Sequence, residues 1–194
     1  MPVEPETYPG TSVYINKLNI TDSVLLAEAE AGYTLIRTEQ YRDLPSPTSF
    51  DLAHLQYIHY QLFQDLYEWA GQLRGYDTRK DASEFTPACE IELHAQRVYS
   101  QLRDENYLLE LPLKSYLQRL AYYYDITNKL HPFPEGNGRT QRLLVEDLAG
   151  LSNYGINWDA VHAWQIREAA IRAFEGDLQP LVWMFEEILL TNSP

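Results

Sequence analysis

Leu52, Leu55, Ile58, Leu62, Leu66 and Trp69 recur behind Asp51 at spacings of three and four residues. That spacing winds a continuous apolar stripe onto one face of a helix, because an α-helix turns every 3.6 residues. Gly71 is the expected stop. A second stripe, Leu113, Leu117, Leu120, Tyr124 and Leu130, opens at Pro112. It must end at His131, since the residue before Pro132 is pushed out of the α region. A third resumes after Gly138 through Leu143, Leu144 and Leu148. Helices with one apolar stripe each must bury it against one another, so the expected fold is an all-α bundle.

Other elements follow from end signals. Thr21 or Asp22 can cap a helix to about Arg37, and Asp43 to Ser49 is a loop. Leu73 to Thr86, polar around Arg79-Lys80-Asp81, is the one plausible β-hairpin. Thr86-Pro87 suits the start of a helix to about Arg103. Asp159 is the expected cap of a helix to Phe174 or Glu175, with Gly176 as its C-terminal glycine. Pro180 allows a last helix to about Leu190. Residues 1–20, with Pro2, Pro5, Pro9 and Gly10, read as an extended arm.

The chain has 194 residues, 45% of them hydrophobic, enough for one domain with a core that needs no staples. Cys89 is the single cysteine, so no internal disulfide is possible and a reducing cytoplasm is expected. No apolar run approaches the ~18 residues of a membrane span. The acidic start, Met1 to Glu6, is unlike a secretory signal. A net charge of −13 repels phosphate backbones, which argues against nucleic acid as a partner. Any nucleotide site must therefore gather its cations and N–H groups locally.

Residues 131–142 do this: His-Pro-Phe-Pro-Glu-Gly-Asn-Gly-Arg-Thr-Gln-Arg. Gly136 and Gly138 can take positive φ and let successive N–H groups face one concavity at the start of the next helix. Such a helix N-terminus binds anions. Arg139 and Arg142 share a helical face beside it. Glu135 offers a carboxylate suited to Mg²⁺ on phosphate oxygens. His131 alone here exchanges a proton near neutral pH. A zinc site at His131 and Glu135 is disfavoured, because Pro132 and Pro134 destroy helical i, i+4 geometry. The set matches what nucleotidyl or phosphoryl transfer requires.

The same segment matches the signature His-Pro-Phe-x-(Asp/Glu)-Gly-Asn-Gly-Arg-x-x-Arg at every defined position, and so resembles the Fic family. Tyr8-Pro9-Gly10-Thr11 with Asn16-Lys17-Leu18, His54 through Trp69-Ala70-Gly71-Gln72-Leu73-Arg74, and Gly176-Asp177-Leu178-Gln179-Pro180-Leu181 resemble it too. The resemblance implies a Fic-fold helical bundle over residues 21–194 with the hairpin as its flap. It implies an enzyme that moves AMP from ATP, with Mg²⁺, to a hydroxyl of a target protein. By similarity His131 is the general base and Glu135 holds the metal. Gly136, Asn137 and Gly138 line the anion hole, with the Asn137 side chain on phosphate, and Arg139 and Arg142 bind the β- and γ-phosphates. Phe133 anchors the loop in the core. Lys80 and Phe85 belong to the flap that pairs with the target. Relatives of the death-on-curing branch carry lysine in place of Gly138 and transfer phosphate, so glycine favours AMP transfer. Phosphate transfer, AMP removal and an idle binding module are the alternatives.

Fic enzymes are commonly held off by a glutamate from a helix reading (Ser/Thr)-x-x-x-Glu-(Gly/Asn), which pairs with the second motif arginine, here Arg142. Thr86 to Glu90 is followed by Ile91, and Glu175-Gly176 has Ile171 where Ser or Thr belongs, so neither completes the pattern. The resemblance then implies a small antitoxin supplying the glutamate, and a bacterial toxin for which a topoisomerase subunit is the first target to try. Tyr122, Tyr123 and Tyr124 suit either core packing or an adenine pocket. His54, His59, His94 and His162 have no partners visible in sequence.

Overall fold

The computed structural model describes residues 2–80 and 83–191 and the side chains of all of these but Lys80 and Ser83. Among the described residues there are seven α-helices: α1 (Ser23–Arg42), α2 (Leu52–Phe63), α3 (Ile91–Asp104), α4 (Leu113–Leu130), α5 (Asn137–Leu151), α6 (Ala163–Phe174) and α7 (Gln179–Ile188). Four short strands accompany them: β1 (Arg79–Lys80), β2 (Ser83–Glu84), β3 (Tyr154–Ile156) and β4 (Leu189–Thr191). The fold is the mostly helical one expected, with a two-stranded antiparallel hairpin in the register Arg79↔Glu84, Lys80↔Ser83.

α4 is the central element and packs against α3, α5, α6 and α7, while α2 lies across α1, α3 and α5. Its buried face carries Tyr116, Leu117, Leu120, Ala121, Tyr124 and Leu130. It stops where Pro132 requires, with His131 left-handed at φ 42°, ψ 58°. Asp22 caps α1 by accepting from the N–H groups of Val24 and Leu25, and that helix runs on to Arg42, beyond the expected Arg37. Gly176, at φ 103°, follows α6 as anticipated.

α2 ends at Phe63, well short of Gly71, although Leu66 and Trp69 are buried as expected. The extended arm explains the early stop. Lys17 donates its N–H to Leu66 O at 2.8 Å and its Nζ to Gln64 O at 2.8 Å. Those carbonyls are the ones a continuing helix would need. Gly71 instead doubles the chain back at φ 80°, where a Cβ would stand 3.0 Å from Gln56 O and from Tyr60 Cβ. The arm is stitched in along its length, with Val3 donating to Leu73 O and accepting from Gly75 N, each at 2.7 Å.

Three other expectations need correction. Thr86 does not cap a helix: its N–H and hydroxyl both bond Lys129 O, and Asp77 takes the Ala88 N–H instead. Asp159 lies in a 3-10 turn, and α6 starts later, at Ala163. The hairpin is not the only sheet, because β3 and β4 pair antiparallel, with Ile156 opposite Leu189. Those segments are distant in sequence and meet only because α6 and α7 fold back between them.

Candidate active site

The motif loop is built around Phe133. Its ring is buried and lies 4.0 Å, centroid to centroid, from the ring of His59 in a near-parallel stack. Asn137 spends both ends of its side-chain amide on the same residue. Its Oδ1 accepts the Phe133 N–H at 2.9 Å, and its Nδ2 donates to the Phe133 carbonyl at 2.8 Å. The side chain expected on phosphate is therefore a loop brace, and what Asn137 offers an anion is its main-chain N–H at the start of α5. Phe133 itself is 1% exposed, inside the core.

Gly136 is left-handed at φ 81° and a Cβ there would lie 2.3 Å from the Phe63 ring, so only glycine fits. Gly138 differs from expectation. It is ordinary helix in the first turn of α5, and a Cβ would meet nothing nearer than the Arg142 Nη1 at 3.8 Å. Its missing side chain leaves space in the cavity beside Arg142.

That cavity has a volume of about 510 Å³. His131, Gly138 and Arg142 line it together with Tyr124 and Asn128, and α6 supplies an apolar wall of Ile166, Ala170, Ile171 and Phe174. Glu175, after α6, stands on its rim. Arg142 is half-buried and makes no ion pair among the described residues. Burial pushes its guanidinium below the usual arginine range. A half-buried cation that forms no ion pair among the described residues is suited to an anion.

Arg139 is turned elsewhere. Its guanidinium reaches Glu30 of α1 at 2.8 Å and Glu135 at 3.4 Å, and lies 4.7 Å over the Phe63 ring. Glu30 also accepts from the Tyr67 hydroxyl. The two motif arginines therefore part: Arg142 faces the cavity of His131, and Arg139 ties α5 to α1. The Glu135 carboxylate is about half exposed, and its Oε1 accepts the Gly136 N–H at 2.8 Å. A single outward-facing carboxylate suits Mg²⁺, which takes one or two protein carboxylates and otherwise keeps water and phosphate oxygens.

His131 is held from two sides. The Phe85 ring stacks on its imidazole at 3.8 Å and 13°, and Phe85 meets Phe174 edge-on at 5.9 Å. From below, Arg74 donates Nε to the His131 carbonyl at 2.8 Å. The left-handed backbone costs roughly 1–2 kcal/mol, and these contacts hold it. Of the two flap positions, Phe85 thus touches the motif histidine directly. Lys80 belongs to β1, and its side chain lies outside the described residues.

A Fic/DOC family model matches residues 49–149, which span α2 to α5 and the whole loop. This chain belongs to the Fic/DOC family. The protein adenylyltransferase VbhT of Bartonella schoenbuchensis is 38% identical over 174 residues, 90% of this chain. The chain spans only 36% of the length of that relative. The probable protein adenylyltransferase Fic of Escherichia coli is 33% identical over 186 residues, 96% of this chain and 92% of its own length. Among solved structures, BepC of Bartonella tribocorum with bound AMPPNP superimposes with a TM-score of 0.92 at 26% identity, covering 96% of this chain and 97% of that one. The homologues of this Fic chain over most of its length are thus named as protein adenylyltransferases.

Residues outside the Fic signature that support the loop were not legible. His59 had no visible partner, yet it is fully buried and bonds Glu135 O at 3.0 Å and the Gly71 N–H at 2.8 Å. Glu30 and Arg74 likewise act on residues far away in sequence. The nearest signal was that His59 and Arg74 both fall in the stretch from His54 to Arg74 that resembles the family outside the motif. No helix among the described residues is long and apolar enough to cross a membrane.

Proposed function

We propose that this chain is a protein adenylyltransferase that moves AMP from ATP to a hydroxyl side chain of another protein. One observation carries the reading. His131, Gly138 and Arg142, which makes no ion pair among the described residues, line one cavity of about 510 Å³, within the range that holds a nucleotide. The α6 wall of Ile166, Ala170 and Phe174 is the apolar surface suited to the base. Arg142 and the first N–H groups of α5 suit the phosphates.

In this reading the target hydroxyl gives its proton to the His131 imidazole as its oxygen attacks the α-phosphorus. The new O–P bond forms as the bond from the α-phosphorus to the bridging oxygen breaks, and pyrophosphate departs. Preorganised N–H groups and Arg142 stabilise the charge that gathers on the phosphoryl oxygens. Glu135 would hold Mg²⁺, which supplies charge neutralisation on the phosphates when bound. Phe85 keeps the imidazole plane fixed, and the hairpin's outer edge suits strand addition by the target.

The finer reading is a bacterial, cytoplasmic toxin with a separate antitoxin. The absence of an ion pair on Arg142 among the described residues supports a partner that brings a glutamate to it. A topoisomerase subunit is the first target to try. The direct test uses ATP labelled at the α- or the γ-phosphate with bacterial lysate. Label should reach protein from the α position alone, and His131→Ala should lower transfer by about 10²–10⁴-fold while AMPPNP still binds. Label arriving from the γ position would replace AMP transfer with phosphate transfer.

A further inference from the structure

Arg74 is among the largest fully buried side chains of the protein, with 0% exposure. A buried guanidinium normally keeps a carboxylate for company. Arg74 makes no ion pair among the described residues and donates instead to four main-chain carbonyls. Nη1 reaches Tyr76 O at 2.7 Å, and Nη2 reaches Thr86 O at 2.5 Å and Leu130 O at 3.5 Å. Nε takes His131 O at 2.8 Å, and the residue's own N–H takes Pro132 O at 2.9 Å.

These acceptors belong to three segments. Tyr76 enters the hairpin, Thr86 leaves it, and Leu130 to Pro132 form the end of α4 and the start of the motif loop. The carbonyls of Leu130 and His131 lie at the negative end of the α4 dipole, where a cation is favoured. A planar fork of five donors spread over three nitrogens can span acceptors on separate segments, whereas the three donors of an ammonium radiate from a single atom. The hairpin therefore touches His131 twice, through the Phe85 ring on the imidazole and through Arg74 on the carbonyl.

From this convergence we infer that Arg74 is a positioning residue that couples the hairpin to His131, so that a segment docked on the hairpin edge sets the placement of the base. The kinetic arm of the test rests on the AMP-transfer reading above; the spectroscopic arm does not. Arg74→Lys keeps the charge but cannot span the four carbonyls. Its affinity for AMPPNP with Mg²⁺ should stay within about threefold of wild type. Transfer of α-labelled AMP to lysate protein should fall about 100-fold, the scale for a catalytic group displaced by 1 Å. The imidazole signals of His131 in nuclear magnetic resonance spectra should move as well.

A second variant, Glu84→Pro, leaves Arg74 in place and removes an N–H from β2. It should also shift the His131 signals, and that shift should shrink to the part the adjacent Phe85 ring transmits when Glu84→Pro is added to Arg74→Lys. Coupling is overturned if Arg74→Lys transfers AMP within threefold of wild type, if it loses AMPPNP binding in step with transfer, or if Glu84→Pro moves the His131 signals equally with and without Arg74→Lys. Failure of the wild-type chain to transfer AMP would strike the proposed function instead, and the resonance shifts would still decide the coupling.

Discussion

Nε2 of His59 stands 3.0 Å from the carbonyl oxygen of Glu135, and Nδ1 of the same ring accepts the Gly71 N–H at 2.8 Å. Because Nδ1 accepts, the ring's proton is on Nε2 and is donated to Glu135. A neutral imidazole with both nitrogens engaged thus joins the turn after α2 to the motif loop. Phe133 and Phe63 stack on the ring at 4.0 and 4.6 Å.

That arrangement excludes a proton. Burial drives the His59 pKa down to about 3. In the unfolded chain it sits near 6.5, as an ordinary histidine does. Between those values the unfolded chain binds a proton that the native state refuses. Stability is then fully present above about pH 6.5 and declines as the pH falls, by up to about 1.4 kcal/mol per pH unit. Urea unfolding between about pH 6 and pH 4 should show this slope, flattened in His59→Gln. An equal slope in the variant would assign the effect to other groups.

Asn137→Ala strands the N–H and the carbonyl of Phe133 in the core. Each unsatisfied group costs about 1–3 kcal/mol, so the variant should lose about 2–4 kcal/mol in denaturant unfolding. A loss of nucleotide affinity at unchanged stability would return the side chain to the phosphates.

The two glycines of the motif should respond in opposite ways. Gly136→Ala meets both the positive φ and the Phe63 ring 2.3 Å away, and should cost more than about 2 kcal/mol. Gly138→Ala stands in ordinary helix and should raise stability by about 0.5–1 kcal/mol. Its methyl enters the cavity of Arg142, so AMPPNP affinity should fall even as the thermal midpoint rises. Calorimetry on the pair separates the two effects.

Arg139 and Arg142 should also separate. Glu30→Ala removes a 2.8 Å partner of Arg139 and should cost about 1.5–3 kcal/mol of stability, with AMPPNP affinity within about threefold. Arg142→Ala removes a half-buried cation that makes no ion pair among the described residues, and stability should change little. Its AMPPNP affinity should drop about tenfold or more, since a charge-assisted contact to phosphate is lost. Equal losses of affinity in both variants would put Arg139 on the phosphates too.

Much of the site was readable because it is contiguous. A dozen residues hold the proton acceptor, the carboxylate, the glycines and both arginines, and Pro132 dictates where α4 must stop. Boundaries set by other parts of the chain were not readable. α2 ends at Phe63 because Lys17 takes the carbonyls beyond it, and nothing near Phe63 announces that.

Local sequence therefore determined the helices, the break at His131 and the chemistry of the motif, since periodicity, proline and glycine act within a turn or two. Tertiary structure alone decided which arginine faces the cavity, that His59 and Arg74 are the supports of the loop, and that β3 meets β4. The physical reason is that these outcomes depend on which carbonyl, ring or carboxylate another segment brings within 3–4 Å, and a backbone carbonyl carries no mark in the sequence.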